Sequence, residues 1–287
     1  MESNLDYAVG RLERILLDLS SVVVGFSGGI DSTYLAVMAN KVLGNAATKL
    51  VTADSPSLPR DELQDCQRLA QVLGLDLTVV RTAEFENRAY LKNDALRCFY
   101  CKSELMDALG PIARERGSVV VLGVNYSDRG DYRPGQRAAS EKDARFPLLE
   151  AEMTKAMIRD HAKLLGIPNH DKAQAACLSS RVPYGTPITL SVLSRVERAE
   201  RYLKSLGMAQ VRVRDYDTFA RIEVNPQDLL QCASNGALID FELKALGYRY
   251  VTLDLGGFAS GNLNSALSSD HKLDVIQPGS YIARGDA

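Results

Sequence analysis

The chain has 287 residues, which at about 150 per domain allows roughly two domains. With 46% hydrophobic and 24% charged residues it has the composition of a globular protein and enough core to fold without disulfide or metal staples. Lysine and arginine number 34 against 36 acidic residues, net charge −2; this lacks the basic excess that drives non-specific nucleic-acid binding, and no uncharged apolar run approaches the ~18 residues of a membrane span.

The first predicted element is an amphipathic helix carrying Leu5, Val9, Leu12, Leu16 and Leu19 at helical spacing. Glu2 and Asp6 at its start do not read as a signal peptide. Five cysteines without a secretory signal point to a reducing compartment, so a cytoplasmic location is expected. Residues 21–26 then form an apolar run of the kind that makes a buried parallel strand. A glycine turn and a helix over 33–43 follow, and the alternation repeats with strands at 49–53, 75–81 and 119–124 and helices at 60–73 and 102–116. Alternating strands and helices predict an α/β fold with a doubly wound parallel sheet.

Residues 125–150 break that rhythm. They are turn-rich, with Arg129, Arg133, Arg137 and Arg145 scattered through, and loops of this length are usually functional or disordered. The arginines would steer an anionic substrate or simply solubilise the loop. A helix over 154–165 precedes a second irregular stretch, 166–187. Beyond it come a helix over 190–206, short strands at 211–214 and 220–224, another helical region and a strand over 248–255. That order, α-β-β-α-β, predicts a smaller α+β domain over 185–287 behind a first domain over 1–184.

Ser27-Gly28-Gly29-Ile30-Asp31-Ser32 lies where the first strand hands over to the first sheet-packed helix. Two glycines let the backbone turn sharply and approach a ligand closely, and the helix start offers N–H groups and a positive dipole end to an anion. Ser27 and Ser32 add hydroxyls. The segment is neither a Walker A loop nor G-x-G-x-x-G. It resembles the PP-loop of the N-type ATP pyrophosphatases, which cleave ATP to AMP and pyrophosphate. The resemblance implies ATP held by Ser27, Gly28, Gly29, Asp31 and Ser32, with Asp31 orienting Mg²⁺ or a phosphate-bound water. Ser55, just past the second strand, falls near where such folds hold adenosine.

Cys98-Phe99-Tyr100-Cys101 precedes the predicted helix over 102–116, flanked by Arg97 and Lys102, which would favour thiolate over thiol. The spacing alone serves zinc, iron–sulfur, redox and structural roles. Cys177 sits on the second irregular stretch, and loops at the carboxyl ends of parallel strands converge on one crevice, so three thiols are expected to meet. His170 would complete a four-ligand zinc site; a [4Fe–4S] cluster with one open iron and metal-free reactive thiols remain the alternatives. Cys66 and Cys232 lie in apolar company and read as core.

Later motifs narrow the resemblance. With the PP-loop, Asp131-Tyr132-Arg133-Pro134-Gly135, Ser179-Ser180-Arg181, Pro183-Tyr184-Gly185, Val211-Arg212-Val213-Arg214, Arg221-Ile222-Glu223 and the stretch from Tyr250 to Gly257, nearly the whole chain resembles the LarE-type ATP-dependent sulfur transferases. These act in making the nickel-pincer nucleotide cofactor of lactate racemase. The resemblance implies adenylation of the carboxylates of pyridinium-3,5-biscarboxylic acid mononucleotide and replacement of AMP by sulfur to give thiocarboxylates. One branch of the family spends a single cysteine, which ends as dehydroalanine; another carries three cysteines on a [4Fe–4S] cluster. Cys98, Cys101 and Cys177 match the second pattern.

The resemblance further implies an anion site at Ser180, Arg181, Arg212 and Arg214. Arg212 and Arg214 stand at i, i+2 on a strand and so share a face, where guanidinium groups grip phosphate well, although a solvated strand face has the same spacing. Glu200 and Glu223 are candidates for a divalent-ion or subunit-interface site. The first domain is then the ATP-binding and sulfur-transfer domain, and the second binds substrate phosphate and serves homo-oligomer formation. A small nucleotide is the expected substrate, with no nucleic acid and no membrane as partner. The competing readings are a tRNA-thiolating enzyme of the PP-loop superfamily, an ammonia-using amide ligase, for which no glutaminase triad is present, and a nucleotide or metal sensor.

Overall fold

The structure is a computed structural model that describes residues 4–128, 134–173, 175–259 and 262. The chain divides into two compact units, Met1–Glu86 with Cys98–Ala175, and Asn87–Arg97 with Ala176–Ala287. The division falls ahead of the 184/185 boundary expected from the order of elements, and a short segment before Cys98 joins the second unit.

In the first unit, α1 (Asn4–Leu19) leads to β1 (Val22–Gly25), α2 (Ile30–Leu43), β2 (Thr48–Asp54), α3 (Arg60–Val72) and β3 (Leu77–Arg81). After the helical turn α4 (Arg88–Leu91), which belongs to the second unit, come α5 (Arg97–Arg116), β4 (Val119–Leu122), α6 (Pro134–Ser140), α7 (Pro147–Glu150) and α8 (Lys155–Leu164). The sheet is parallel throughout, in the order β3-β2-β1-β4. Val22, Val23 and Val24 of β1 are fully buried, and each buried valine contributes about 1.5 kcal/mol or more, which places β1 at the centre. Val22 and Val24 face a core built with α1, α2 and α8, whereas Val23 faces one built with α5 and the 139–146 segment. The doubly wound α/β fold is thus present.

Two expectations need correction. Residues 125–150 are not irregular throughout: α6 and α7 lie within them, α7 begun by Pro147 in its first turn, where a missing N–H costs nothing. Helix α5 starts at Arg97 rather than 102, so the cysteine pair occupies its first turns. Arg129, Asp131, Tyr132 and Arg133 lie outside the described residues.

The second unit carries α9 (Leu190–Ser205), β5 (Val211–Tyr216), β6 (Phe219–Val224), α10 (Leu229–Ser234), α11 (Gly236–Ala245) and β7 (Tyr250–Leu253). Strands β5 and β6 pair antiparallel and β6 and β7 parallel. Val211, Val213, Ile222 and Val224 turn one sheet face to a core shared with the helices. No described helix is long and apolar enough to cross a membrane.

Candidate active site

The first candidate site grows from the sheet topology. Because β2 and β3 lie on one side of β1 and β4 on the other, the order reverses between β1 and β4, and ligands of open α/β sheets bind outside the carboxyl ends of strands at that point. The Ser27–Ser32 loop leaves β1 there. Gly28 has φ +66°, and a Cβ on it would stand 2.7 Å from the Sγ of Cys66, so only glycine fits. Gly123, just past β4, is pressed equally close: its Cβ would meet the Ser32 amide nitrogen at 2.7 Å.

Helix α2 begins after Gly29, which offers no side-chain cap, leaving the helix start to backbone N–H groups and the dipole. The loop is held from within. The Ser32 Oγ donates to the Gly29 carbonyl at 3.0 Å and accepts from the Ser27 amide at 3.2 Å, and Thr33 Oγ1 donates to the same carbonyl at 2.9 Å. Asp31 accepts on Oδ2 from the Lys155 ammonium at 2.7 Å and from Asn125 Nδ2 at 3.3 Å. Its Oδ1 is buried and has no hydrogen-bond partner among the described residues. A buried carboxylate oxygen without a donor suits a hard cation or a water bound to one.

Ser55 is committed within the protein. Its hydroxyl donates to Glu84 and accepts from the Ser57 amide at 3.0 Å. Glu84 is itself buried, with Oε2 unpartnered among the described residues. Asp54 beside it pairs with Arg60 at 2.6 Å. Cys66 lies in the core as expected, where burial pushes its thiol up to about 11; Cys232 is likewise buried. Lys155, Asn125 and Glu84 were missed from sequence because they stand singly, outside any motif.

Cys98 is exposed and Cys101 half-buried, three residues apart and so on one helical face. Gly135 sits hard against the first of them: its Cβ would lie 3.1 Å from the Cys98 carbonyl. Arg137 of α6 covers the Phe99 ring at 4.8 Å. The pair belongs to the first unit and Cys177 to the second. Among the described residues no group of three or more His, Cys, Asp or Glu is placed to hold a metal ion. His170, weighed as a zinc ligand, sets Nδ1 3.1 Å from the Ile167 carbonyl. Arg97 is turned inward, donating to Asn93 Oδ1 at 2.5 Å and the Ser179 carbonyl at 2.8 Å.

The second candidate site lies in the second unit. Arg212 and Arg214 do share one face of β5, but that face is buried, not solvated. Arg181 makes a two-pronged contact with Glu200, Nε to Oε1 and Nη2 to Oε2, both 2.8 Å. Glu200 Oε1 also accepts the Val213 amide at 3.0 Å. Arg214 grips Glu223 Oε2 at 2.6 Å and donates to the Ser180 carbonyl at 2.9 Å, while Glu223 Oε1 takes Arg221 and Asn262, both at 2.9 Å. The two carboxylates considered for a divalent ion are therefore engaged by guanidinium groups. Ser180 Oγ donates to the Cys177 carbonyl at 2.7 Å and accepts from Arg181 at 3.0 Å, which ties the cysteine's backbone to the cluster. Arg212 donates to the Val211 carbonyl at 2.8 Å and lies over the Phe258 ring. Burial, then repulsion by Arg181 and Arg214, lowers it to about 10. Three buried guanidinium groups beside two buried carboxylates leave a positive excess, which an anion would relieve.

A Ser-Gly-Gly-Ile-Asp-Ser loop at the switch point of a parallel sheet, opening a helix, has the form of the PP-loop ATP-using enzymes. The family model described as NAD synthase matches residues 15–106, and an NH(3)-dependent NAD(+) synthetase of Methanococcoides burtonii is 34% identical over 76 residues, 26% of this chain. Other relatives match far more of the chain. A pyridinium-3,5-bisthiocarboxylic acid mononucleotide synthase of Lactiplantibacillus plantarum is 40% identical over 259 residues, 90% of this chain and 94% of that protein. An uncharacterized protein of Synechocystis sp. is 44% identical over 272 residues, 93% of this chain and 99% of that one. The chain belongs to the LarE-type family of ATP-dependent sulfur transferases.

Proposed function

We propose that this chain uses ATP to adenylate the carboxylates of pyridinium-3,5-biscarboxylic acid mononucleotide and replaces AMP with sulfur, giving thiocarboxylates for nickel-pincer nucleotide synthesis. The observation that carries the reading is the pairing of a PP-loop with a buried arginine cluster built on the family's motifs, alongside 40% identity to the synthase over 90% of the chain.

A carboxylate is a poor electrophile because oxide is a poor leaving group. Attack of a carboxylate oxygen on the α-phosphorus of ATP forms an acyl phosphate anhydride and releases pyrophosphate; AMP then leaves when sulfur attacks the acyl carbon. The charge that develops on pyrophosphate falls on the α2 N–H groups, fixed before the reaction begins, and such preorganised dipoles supply much of a catalytic effect. Asp31 holds Mg²⁺ or its water on Oδ1 while Lys155 fixes Oδ2. Arg212 and Arg214, with Ser180 and Arg181, receive the substrate's own phosphate.

The sulfur belongs to the same proposal. Cys98, Cys101 and Cys177 hold a [4Fe–4S] cluster. The donor set suits it: three thiols, none of them fully buried, and soft thiolates favour iron–sulfur groups over hard ions. When bound, the cluster would hold a sulfide taken up from solution, and that sulfide, not one of the cluster's own, attacks the acyl carbon as AMP leaves. Three cysteines kept as thiolates belong in a reducing, cytoplasmic setting. Exposed Leu230, Leu238 and Phe241 on α10 and α11 support a homo-oligomer.

The test uses protein purified and reconstituted without oxygen. AMP, pyrophosphate and thiocarboxylate are measured with ATP, the dicarboxylate substrate and added inorganic sulfide, and iron and acid-labile sulfide are counted for wild type and for Cys98→Ala, Cys101→Ala and Cys177→Ala. Repeated turnover with about four iron per chain, lost in each variant, is expected. Turnover that stops near one sulfur per chain, with Cys177 losing mass, replaces the cluster with a sacrificial cysteine. No AMP from this substrate overturns the reading.

A further inference from the structure

We infer that Asn169 is a positioning residue for the ATP-using step: it sets the direction of the amides that receive the phosphates. The residue lies in the loop after α8, far from the PP-loop in sequence, and no motif marks it. Its Nδ2 donates to the Gly28 carbonyl at 3.0 Å and to Thr33 Oγ1 at 3.1 Å, so one amide spans the loop from its first glycine to the first turn of α2. The sense of the network is fixed. Thr33 Oγ1 spends its proton on the Gly29 carbonyl and can only accept from Asn169; a carbonyl can only accept. Asn169 must therefore present its nitrogen, and its Oδ1 is left buried without a partner among the described residues. Burying an acceptor unsatisfied is costly, and the structure bears that cost at the phosphate loop.

The consequence follows from the planar trans peptide, in which C=O and the next N–H point opposite ways. Holding the Gly28 carbonyl on Asn169 directs the Gly29 N–H to the other side. Holding the Gly29 carbonyl on Ser32 and Thr33 does the same for the Ile30 N–H. Two adjacent amides are thereby turned outward together, the arrangement that receives an anion. Gly28, at φ +66°, is the link most free to rotate, and it is the one whose carbonyl Asn169 ties.

The inference rests on ATP phosphates seating at this loop, and the experiment separates the two ideas. Steady-state AMP formation by the full chain is inhibited with inorganic pyrophosphate, which needs the loop amides, and with adenosine, which does not. Asn169→Leu keeps the volume and removes the donor; Asn169→Ala serves if the leucine variant does not fold. The KM for ATP and the inhibition constant of pyrophosphate should both rise about tenfold, the loss of one good hydrogen bond to a loop amide plane, while adenosine inhibition stays within about twofold. Unchanged pyrophosphate inhibition, a fall in kcat alone, or equal weakening of both inhibitors overturns the role of Asn169. Failure of pyrophosphate to compete with ATP in the wild type overturns the seating itself, and the inference with it.

Discussion

The role proposed for Arg212 sets function against stability. It is buried, and burial together with Arg181 and Arg214 lowers its affinity for its proton; the fold gains little from a cation held there. Replacing such a group with an apolar side chain of similar shape is often neutral or stabilising, and sites that trade stability for activity behave this way. Arg212→Met should therefore melt no lower than the wild type in a thermal scan. The same variant should raise the KM for the mononucleotide substrate by about 10- to 100-fold, the loss of a charge-assisted hydrogen bond, with the KM for ATP unchanged. A lower melting temperature with an unchanged substrate KM would assign the arginine to structure instead. The sequence pattern alone left a solvated face open, because alternation shows which residues share a face but not what covers it; burial of both arginines decides it.

Among the elements, the turn from β1 into α2 was the most legible. Ser27-Gly28-Gly29-Ile30-Asp31-Ser32 lies in one contiguous run, and glycine, serine and aspartate at a strand–helix junction have few other uses. What the run did not reveal was its support. Cys66 read as ordinary core, yet its sulfur fills the place a Gly28 side chain would take, and Asn169 and Lys155 reach the loop from far along the chain. Motif reading fails there because packing partners of a loop obey no spacing rule. Helix α5 was misjudged for a related reason: Cys98-Phe99-Tyr100-Cys101 has no strong helix former, but Arg137 over Phe99 and Gly135 against the Cys98 carbonyl pack that turn from outside. The Cys66 contact makes a prediction. Gly28→Ala meets two obstacles, the positive φ, costing about 1–2 kcal/mol, and the sulfur. Adding Cys66→Ala removes only the second. ATP affinity and denaturant stability should fall sharply in Gly28→Ala and recover in part in the double variant. An equal loss in both would mean that the sulfur does not limit the loop.

At the scale of the whole molecule, strand–helix alternation was enough to find the parallel sheet, and the change of rhythm was enough to find a second α+β unit. The position of the division was less legible, since Asn87–Arg97 joins the second unit through contacts such as Arg97 to Ser179 and Tyr90 to Ser179, which no local pattern announces. Net charge is the property read most directly from sequence, and it discriminates between substrates. A tRNA-thiolating enzyme must hold a polyanion, and each phosphate neutralised adds to the dependence of affinity on salt. Here 34 basic residues are offset by 36 acidic ones. The buried arginines are largely spoken for: Arg181 by Glu200, Arg214 by Glu223. A small cluster of three buried guanidinium groups suits one phosphate better than a backbone of them. Bulk tRNA titrated by fluorescence anisotropy at about 50 mM salt should therefore not bind in the micromolar range, where non-specific binders hold nucleic acid through counterion release. Tight binding there, falling steeply toward about 200 mM, would place the chain's substrate among nucleic acids and detach the arginine cluster from a mononucleotide.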